Sequence, residues 1–362
     1  MIILYVSELN GSVSAGPSWS VPSRIKAQEA IDNVLWINLT PNYLQHWKDV
    51  KAYHSITEFE NFGLDYLPLQ FRKPDVVVFE GFYSMKAVYF SKYLRRKEIP
   101  YVIVPRGSLT WQARHNSSRW KKNIAHWLWF DSFVSNALAV QYLTETEKKD
   151  SAKQICRSSF VLPNGITPPT KIKNRFSENG VRAVFIGRID IYHKGLDVLL
   201  EACSQIHSEL KMAGFSLKIY GPKNQDYEKV KHFIQERNLQ DIVSIMGEIS
   251  GIAKAEALLD ADLFMLTSRF EGHPMGLIEA LSLGLPAFAT PGTNMASEID
   301  GANAGWVTDC EKNSIIQTLI RAIKEKNMYS IKSKNALDLS KGYDWNLLAK
   351  KFHDKLENLL CE

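Results

Sequence analysis

Cysteine is scarce in this chain. There are four among 362 residues: Cys156, Cys203, Cys310 and Cys361, far apart and with no C-x-x-C pair. That spacing argues against a disulfide framework or a zinc site and fits a reducing cytoplasm. Long hydrophobic runs are missing too; none approaches the roughly 18 residues of a membrane span. The first apolar run, Met1 to Val6, is too short for a signal-peptide core, and no basic region precedes it. No single sign of charge dominates. Lys and Arg number 44 against 39 Asp and Glu, and 45% of residues are hydrophobic. This is an ordinary globular balance and excludes a disordered or collagen-like chain. At about 150 residues per domain, the length predicts two domains.

The charge is unevenly placed. Residues 1–170 hold 20 Lys and Arg against 14 Asp and Glu, whereas residues 171–362 hold 24 against 25. Seven of the nine Trp lie in the first half. A basic, Trp-rich half points to an anionic partner or a membrane surface; the plainer reading is a solvated basic face.

Short apolar strands alternate with helical patterns, which implies parallel β-α-β units. In the first half, 2–6, 34–39, 76–79 and 101–104 read as strands, and 84–97 as a helix. A Gly/Ser/Pro-rich loop is expected from Gly11 to Pro22, and an interdomain linker over 163–179. The second half repeats the rhythm with five strands: 181–186, 216–220, 243–246, 263–266 and 287–290. Helices between them complete a doubly wound sheet, whose ligands sit at the carboxyl ends of the strands. Residues 313–360 are helical in period, interrupted at Gly342.

Two clusters fall at such ends. Gly187-Arg188 is followed by Lys194-Gly195, where two cations can bind phosphate and a helix starting near Gly195 adds its positive end. The second cluster runs from Ser268 to Ala280 and contains Glu271, Gly272, Met275, Gly276, Leu277 and Glu279. The amides of Met275, Gly276 and Leu277 are expected to be unpaired at a helix start and open to an anion. Glu279 is expected about two turns along. Carboxylates flanking a phosphate-binding helix start suit a ligand with both hydroxyls and phosphates, as a nucleotide sugar has. Taken singly, each of these charged residues reads better as a solvated or helix-terminal charge.

In order and spacing, the two clusters resemble the retaining glycosyltransferases of family 4, which have the GT-B fold. The matching residues are Gly187-Arg188, Lys194-Gly195, the 262–268 strand, Glu271 and Glu279 as E-x7-E, Leu285-Pro286-Ala287 and Gly305-Trp306-Val307. Asn164-Gly165-Ile166 matches the linker entry. The resemblance is much looser before residue 160. It implies an α/β protein of two Rossmann-like domains facing across a cleft. Residues 1–165 would bind acceptor and 166–340 the nucleotide-sugar donor. Residues 341–362 would form a helix crossing back to the N-terminal domain.

The same resemblance implies roles. Arg188 and Lys194 would hold the donor diphosphate, beside Gly187. Glu271 would bind hydroxyls of the transferred sugar and Glu279 the ribose. The amides of Gly276 and Leu277 would bind phosphate, with Gly272 and Met275 lining the site. The departing phosphate would take the acceptor's proton, so the sugar's configuration is retained without an enzymic base. Neither a metal nor a resident cofactor is expected, since two cations and a helix end can carry the leaving charge. Asp260-Ala261-Asp262 looks like a metal-binding D-x-D, but it sits where family members place an Asp before an apolar strand.

The first half departs from the family pattern. Many relatives carry a His near the sugar; here the comparable stretches read Phe79-Glu80-Gly81 and Pro105-Arg106-Gly107-Ser108. Arg106 is therefore a candidate for the donor or acceptor pocket, and Gly16 in the first loop for substrate contact. His115 and His126 read as structural. Trp111 to Phe130 combines four Trp with Arg114, Arg119, Lys121 and Lys122. That suits an anionic membrane interface or a lipid pyrophosphate; the plainer reading is a core helix with a basic outer face. Nucleic acid is not an expected partner.

The expected function is transfer of a sugar from a nucleotide sugar to a lipid-linked or oligosaccharide acceptor, in capsule, exopolysaccharide or O-antigen assembly. The expected location is the cytoplasm, with the inner membrane face as the place of any peripheral contact. The alternatives are a nucleotide-sugar epimerase and a non-catalytic nucleotide-sugar-binding protein on the same fold.

Overall fold

The computed structural model describes residues 1–12, 15–110, 129–151 and 156–361. The chain divides into two compact units: residues 1–165 with the segment from Trp345 onward, and Ile166–Asp344. The second unit thus begins at Ile166, whose amide donates to the Tyr343 carbonyl at 2.7 Å. Residues 166–179, expected as linker, pack on that unit: Lys173 is buried and its amide donates to the Leu283 carbonyl at 2.7 Å. The unit ends at Asp344 rather than at 340.

The first unit contains β1 (Ile2–Ser7), α1 (Pro17–Gln28), β2 (Asn33–Asn38), β3 (Tyr53–Ser55), β4 (Val76–Glu80), α2 (Met85–Arg96), β5 (Tyr101–Val104), α3 (Asp131–Ser135), β6 (Ala139–Tyr142), α4 (Glu145–Asp150) and β7 (Ser159–Val161). Its parallel sheet has the order β3-β2-β1-β4-β5-β6-β7. Alternation along β1 feeds two cores: Leu4 and Val6 enter one, Ile3 and Tyr5 the other.

Helix α1 corrects the loop expected over 11–22. Pro17 occupies its first position, where a missing N–H costs nothing. Pro22 lies inside the helix and deprives the Ser18 carbonyl of its donor. The Trp47 indole Nε1–H supplies one at 2.8 Å, so a side chain from elsewhere in the fold repairs the helix.

The second unit contains β8 (Val181–Ile186), α5 (Leu196–Gln205), α6 (His207–Met212), β9 (Phe215–Tyr220), α7 (Gln225–Glu236), β10 (Val243–Gly247), α8 (Gly251–Asp260), β11 (Leu263–Leu266), α9 (Met275–Ser282), β12 (Ala287–Ala289), α10 (Ala296–Gly301), β13 (Gly305–Val307), α11 (Lys312–Lys324) and α12 (Tyr329–Ser340). The sheet is β10-β9-β8-β11-β12-β13, six strands rather than five, because Gly305-Trp306-Val307 adds an edge. Counted from β8 the order is 3-2-1-4-5-6, that of a dinucleotide-binding Rossmann domain. The switch lies between β8 and β11, which pair through Ala183 and Val184.

The last helix, α13 (Trp345–Cys361), belongs to the first unit. Trp345, Leu348, Phe352, Leu356 and Leu359 form one apolar stripe and join the core that holds Val21 and Ile25 of α1. Burying each large apolar side chain contributes about 1.5–3 kcal/mol. No helix among the described residues is long and apolar enough to cross a membrane.

Candidate active site

Neighbouring strands β8 and β11 each end in a loop, 187–195 and 267–274, at the carboxyl side of the switch. Gly195 makes their contact possible. Its φ is +64°, and a Cβ there would lie 2.1 Å from the Thr267 carbonyl oxygen. Thr267 Oγ1 donates to the carbonyls of Lys194 and Gly195 at 3.2 and 3.3 Å. Arg269 clamps the loops from outside. Its amide donates to the His193 carbonyl at 2.9 Å, and its guanidinium to the Tyr192 carbonyl at 2.5 Å. The same guanidinium grips both oxygens of Asp197 on α5.

This clamp brings Lys194 to Glu271, Nζ to Oε1 at 2.5 Å, and Ser268 Oγ donates to the same oxygen at 2.6 Å. The two side chains are only 12% and 10% exposed, so each is the other's main counter-charge. Asn294 fixes the backbone behind Glu271, donating to the carbonyls of Glu271 (2.5 Å) and Gly272 (3.1 Å). Arg188 is half-exposed and lies 3.5 Å from Asp190. Its Nη2 donates to His193 Nδ1 at 3.0 Å. The His193 ring stacks on Phe270 with centroids 4.0 Å apart.

Helix α9 starts beside these loops. A Cβ on Gly276 would come within 3.1 Å of the Ile186 carbonyl, so Gly276 lets the helix start approach the end of β8. The amides of Met275 and Gly276 have no partner among the described residues. The Leu277 amide does have one, the Pro274 carbonyl at 3.1 Å. It is therefore not the open donor that the sequence predicts, because the turn at Pro274 closes on it. Before α5 the carbonyls of Asp190, Tyr192 and Ile191 take the amides of Lys194, Gly195 and Leu196, which closes the turn that leads into the helix. Gly187 lies at the end of β8 with ordinary contacts to Phe185 and Lys194.

Glu279 lies one turn into α9, not two, and forms an ion pair with Lys254 of α8. His273, between the two glutamates in sequence, is buried against Tyr343. Burial pulls its pKa down to about 3, so it stays neutral.

Asp260 and Asp262 are taken by cations of the fold. Asp262 accepts from Arg182 through its amide and guanidinium and from the Ser177 amide, with Lys173 at 3.5 Å. Burial pushes its pKa up, but these donors outweigh burial and hold it below the usual aspartate value. Asp260 accepts from the same Arg182 at 2.7 Å. Asp262 is thus buried among its donors, while Asp260 remains more than half exposed.

In the first unit, Arg106 has left-handed backbone, with φ +52°. Its guanidinium is spent internally: on Glu80 at 2.7–2.8 Å, on Ser20 Oγ at 2.9 Å and on Asn164 Oδ1 at 3.1 Å. Glu80 also faces Arg24 at 3.1 Å and is fully buried. Arg106 thus belongs to a buried Arg24–Glu80–Arg106 cluster and does not present an open guanidinium, contrary to the sequence expectation. Glu147 accepts the amides of Gly107 and Leu143 and fixes this loop. Gly16 caps α1, its carbonyl accepting the Trp19 and Ser20 amides. The segment 111–128, with His115, His126, Arg114, Arg119, Lys121, Lys122 and three of the four Trp, lies outside the described residues.

His193, Arg269, Asn294 and Lys254 were not legible as site residues. Each acts through a partner distant in sequence; only the position of Arg269 and Phe270 inside the second cluster hinted at them.

Two Rossmann-like units with a site of cations, carboxylates and open amides at the second switch define the GT-B class. The protein's similarity to solved structures agrees. Sucrose-phosphate synthase from Thermosynechococcus elongatus superposes with a TM-score of 0.78 at 15% identity, covering 100% of both chains. Anabaena HepE, solved in complex with UDP, gives 0.77 at 15% identity, covering 99% of this chain and 100% of that one. Residues 168–338 match the family model of the glycosyl transferases group 1. Among curated relatives, the amylovoran biosynthesis glycosyltransferase AmsD of Erwinia amylovora is 29% identical over 185 residues, 50% of this chain and 49% of the relative. Mannosylfructose-phosphate synthase of Agrobacterium fabrum is 26% identical over 164 residues, 44% of this chain and 36% of the relative. The chain thus matches half or less of the length of these curated relatives.

Proposed function

We propose that this protein is a retaining glycosyltransferase. It moves a sugar from a nucleoside-diphosphate sugar to a glycan or lipid-linked acceptor in cell-surface polysaccharide assembly. One observation carries the reading: the Lys194–Glu271 pair, held by two clamped loops beside the open amides of Met275 and Gly276. A cation and free amides suit a diphosphate, and the carboxylate suits sugar hydroxyls. AmsD's name, with its biosynthesis of amylovoran, favours polysaccharide transfer over the epimerase reading.

In the reaction, the bond from sugar C1 to the diphosphate oxygen breaks and its electron pair leaves with the phosphate. Lys194, Arg188 and the α9 amides stabilise that charge as it forms. The acceptor oxygen attacks C1 on the face the phosphate leaves, and its proton passes to the departing phosphate oxygen. Glu271 orients the sugar; Glu279 exchanges Lys254 for the ribose hydroxyls. The leaving charge is met by these groups without a metal.

Calorimetry with UDP, GDP, ADP and dTDP, using Lys194→Ala as the control, tests the reading. One nucleotide bound tightly, and more weakly by the variant, is expected. No binding of any of the four by the intact protein would overturn it.

A further inference from the structure

His193 stands at the centre of the proposed donor site and has one hydrogen-bonding atom to spare. Its Nδ1 lies 3.0 Å from Arg188 Nη2. A guanidinium only donates, so Nδ1 is the acceptor of that bond. The neutral ring then carries its proton on Nε2. Burial lowers the pKa of this imidazole, outweighing the opposite pull of Glu271, so the neutral form prevails at neutral pH. The Nε2–H is buried and has no partner in the structure. A buried donor left unmatched is unfavourable and uncommon in native folds.

The neighbourhood says which acceptor it serves. The ring stacks on Phe270, next in sequence to Glu271, and its carbonyl is tied to the Arg269 amide. His193 itself precedes Lys194. The ring is thus next in sequence to Lys194 and stacked on the neighbour of Glu271, near enough for the Glu271 charge to act on it. In the free site Glu271 is satisfied by Lys194 and Ser268. A diphosphate that takes the Lys194 ammonium removes the main counter-charge of a carboxylate that is nine-tenths buried.

We propose that His193 is a positioning residue for Glu271: its Nε2–H becomes the donor to the Glu271 carboxylate when Lys194 turns to the bound diphosphate. The proposal rests on the reading of the site above. The hand-over keeps Glu271 charged and oriented toward the sugar while its former partner is engaged. It also lowers the penalty for releasing Lys194, so nucleotide affinity depends on His193.

A double-mutant cycle on nucleoside-diphosphate binding tests this. His193→Phe keeps the stacking on Phe270 and loses the Nε2–H; affinity is expected to fall about tenfold, the range of a hydrogen bond to a charged group. His193→Gln, which can still donate, is expected to recover most of it. In a Glu271→Leu background no acceptor is left for the donor, and His193→Phe is expected to have little further effect. Equal losses in both backgrounds would overturn the proposal, since loss of the Arg188 contact alone would act in both. Imidazole nitrogen NMR of the free protein supplies a second readout, with protonated Nε2 and bare Nδ1 expected; a proton on Nδ1 would overturn it. If the wild type binds no nucleoside diphosphate, the site reading itself fails, a result distinct from binding that ignores His193.

Discussion

Arg269 and Asp197 meet as a two-pronged ion pair, Nη1 to Oδ1 and Nη2 to Oδ2, each at 2.8 Å. The guanidinium also lies over the Tyr192 ring, 4.2 Å from its centroid. One side chain thereby holds the loop after β11, the loop after β8 and the first turn of α5. The planar fork of arginine makes this possible, and an ammonium cannot copy it.

Arg269→Lys is therefore expected to preserve charge yet lose alignment. Transfer should fall about tenfold in kcat/KM, with a drop in melting temperature of about 2–6 °C. Steady-state kinetics and a thermal scan check both; unchanged values for both would show that the clamp is dispensable.

Lys194→Ala is expected to reduce kcat/KM by about 10²–10³-fold, as for other groups that meet charge in a transition state. It also strands Glu271, and should destabilise the second unit by about 1–3 kcal/mol. The double variant Lys194→Ala, Glu271→Ala should recover stability but no activity. Urea unfolding beside activity assays separates the two effects.

Two glycines in the same loop should respond in opposite ways. Gly195→Ala places a methyl 2.1 Å from the Thr267 oxygen on left-handed backbone, and is expected to abolish activity and lower soluble yield. Gly187→Ala meets nothing closer than Phe185 Cζ at 3.4 Å and is expected to fold normally. Expression and melting of the pair give the comparison.

His273 makes the second unit sensitive to acid. Its folded pKa, about 3, lies below its ordinary value of about 6.5. The unfolded chain therefore binds a proton first as pH falls. Stability is complete above about pH 6.5 and declines below it, by up to about 1.4 kcal/mol per pH unit, until the folded ring titrates. Denaturant midpoints between pH 7 and 4 should slope less in His273→Phe than in the wild type.

Arg106 offers a direct choice between a ligand role and a structural one. Breaking the buried cluster with Glu80 costs about 3–5 kcal/mol, so Arg106→Ala should lower the melting temperature markedly. The KM for donor in the remaining folded enzyme should change little. A large KM change at unaltered stability would restore the ligand role.

The second unit was the more legible half, for physical reasons. Its strands, such as 263–266, are continuous apolar runs because both faces are buried. The missed strands are short or polar: β3 has three residues, and β6 includes Gln141, whose buried amide is satisfied by Arg24 at 2.6 Å and by the Leu162 carbonyl at 3.0 Å. Helix α1 read as a loop because Pro17 and Pro22 are breakers locally, and the donor that rescues Ser18 comes from Trp47. In the site, Arg188, Lys194, Glu271 and Glu279 were readable as an ordered pattern of charges. Which amides stay open was not readable, since that depended on where the Pro274 carbonyl turns. The internal partners of Arg106, namely Glu80, Ser20 and Asn164, were not readable because they are scattered along the chain.

The return of α13 to the first unit has a consequence for how the protein is made. The second unit is one uninterrupted stretch, and its contacts can form as soon as Asp344 has left the ribosome. The first unit must wait for Trp345, Phe352 and Leu356, although most of it was synthesised earliest. During that interval the α1 face, with Val21 and Ile25, is uncovered and open to chaperones. Termination within the 17-residue helix α13 would therefore spoil residues 1–165, made before the second unit, and spare residues 166–344.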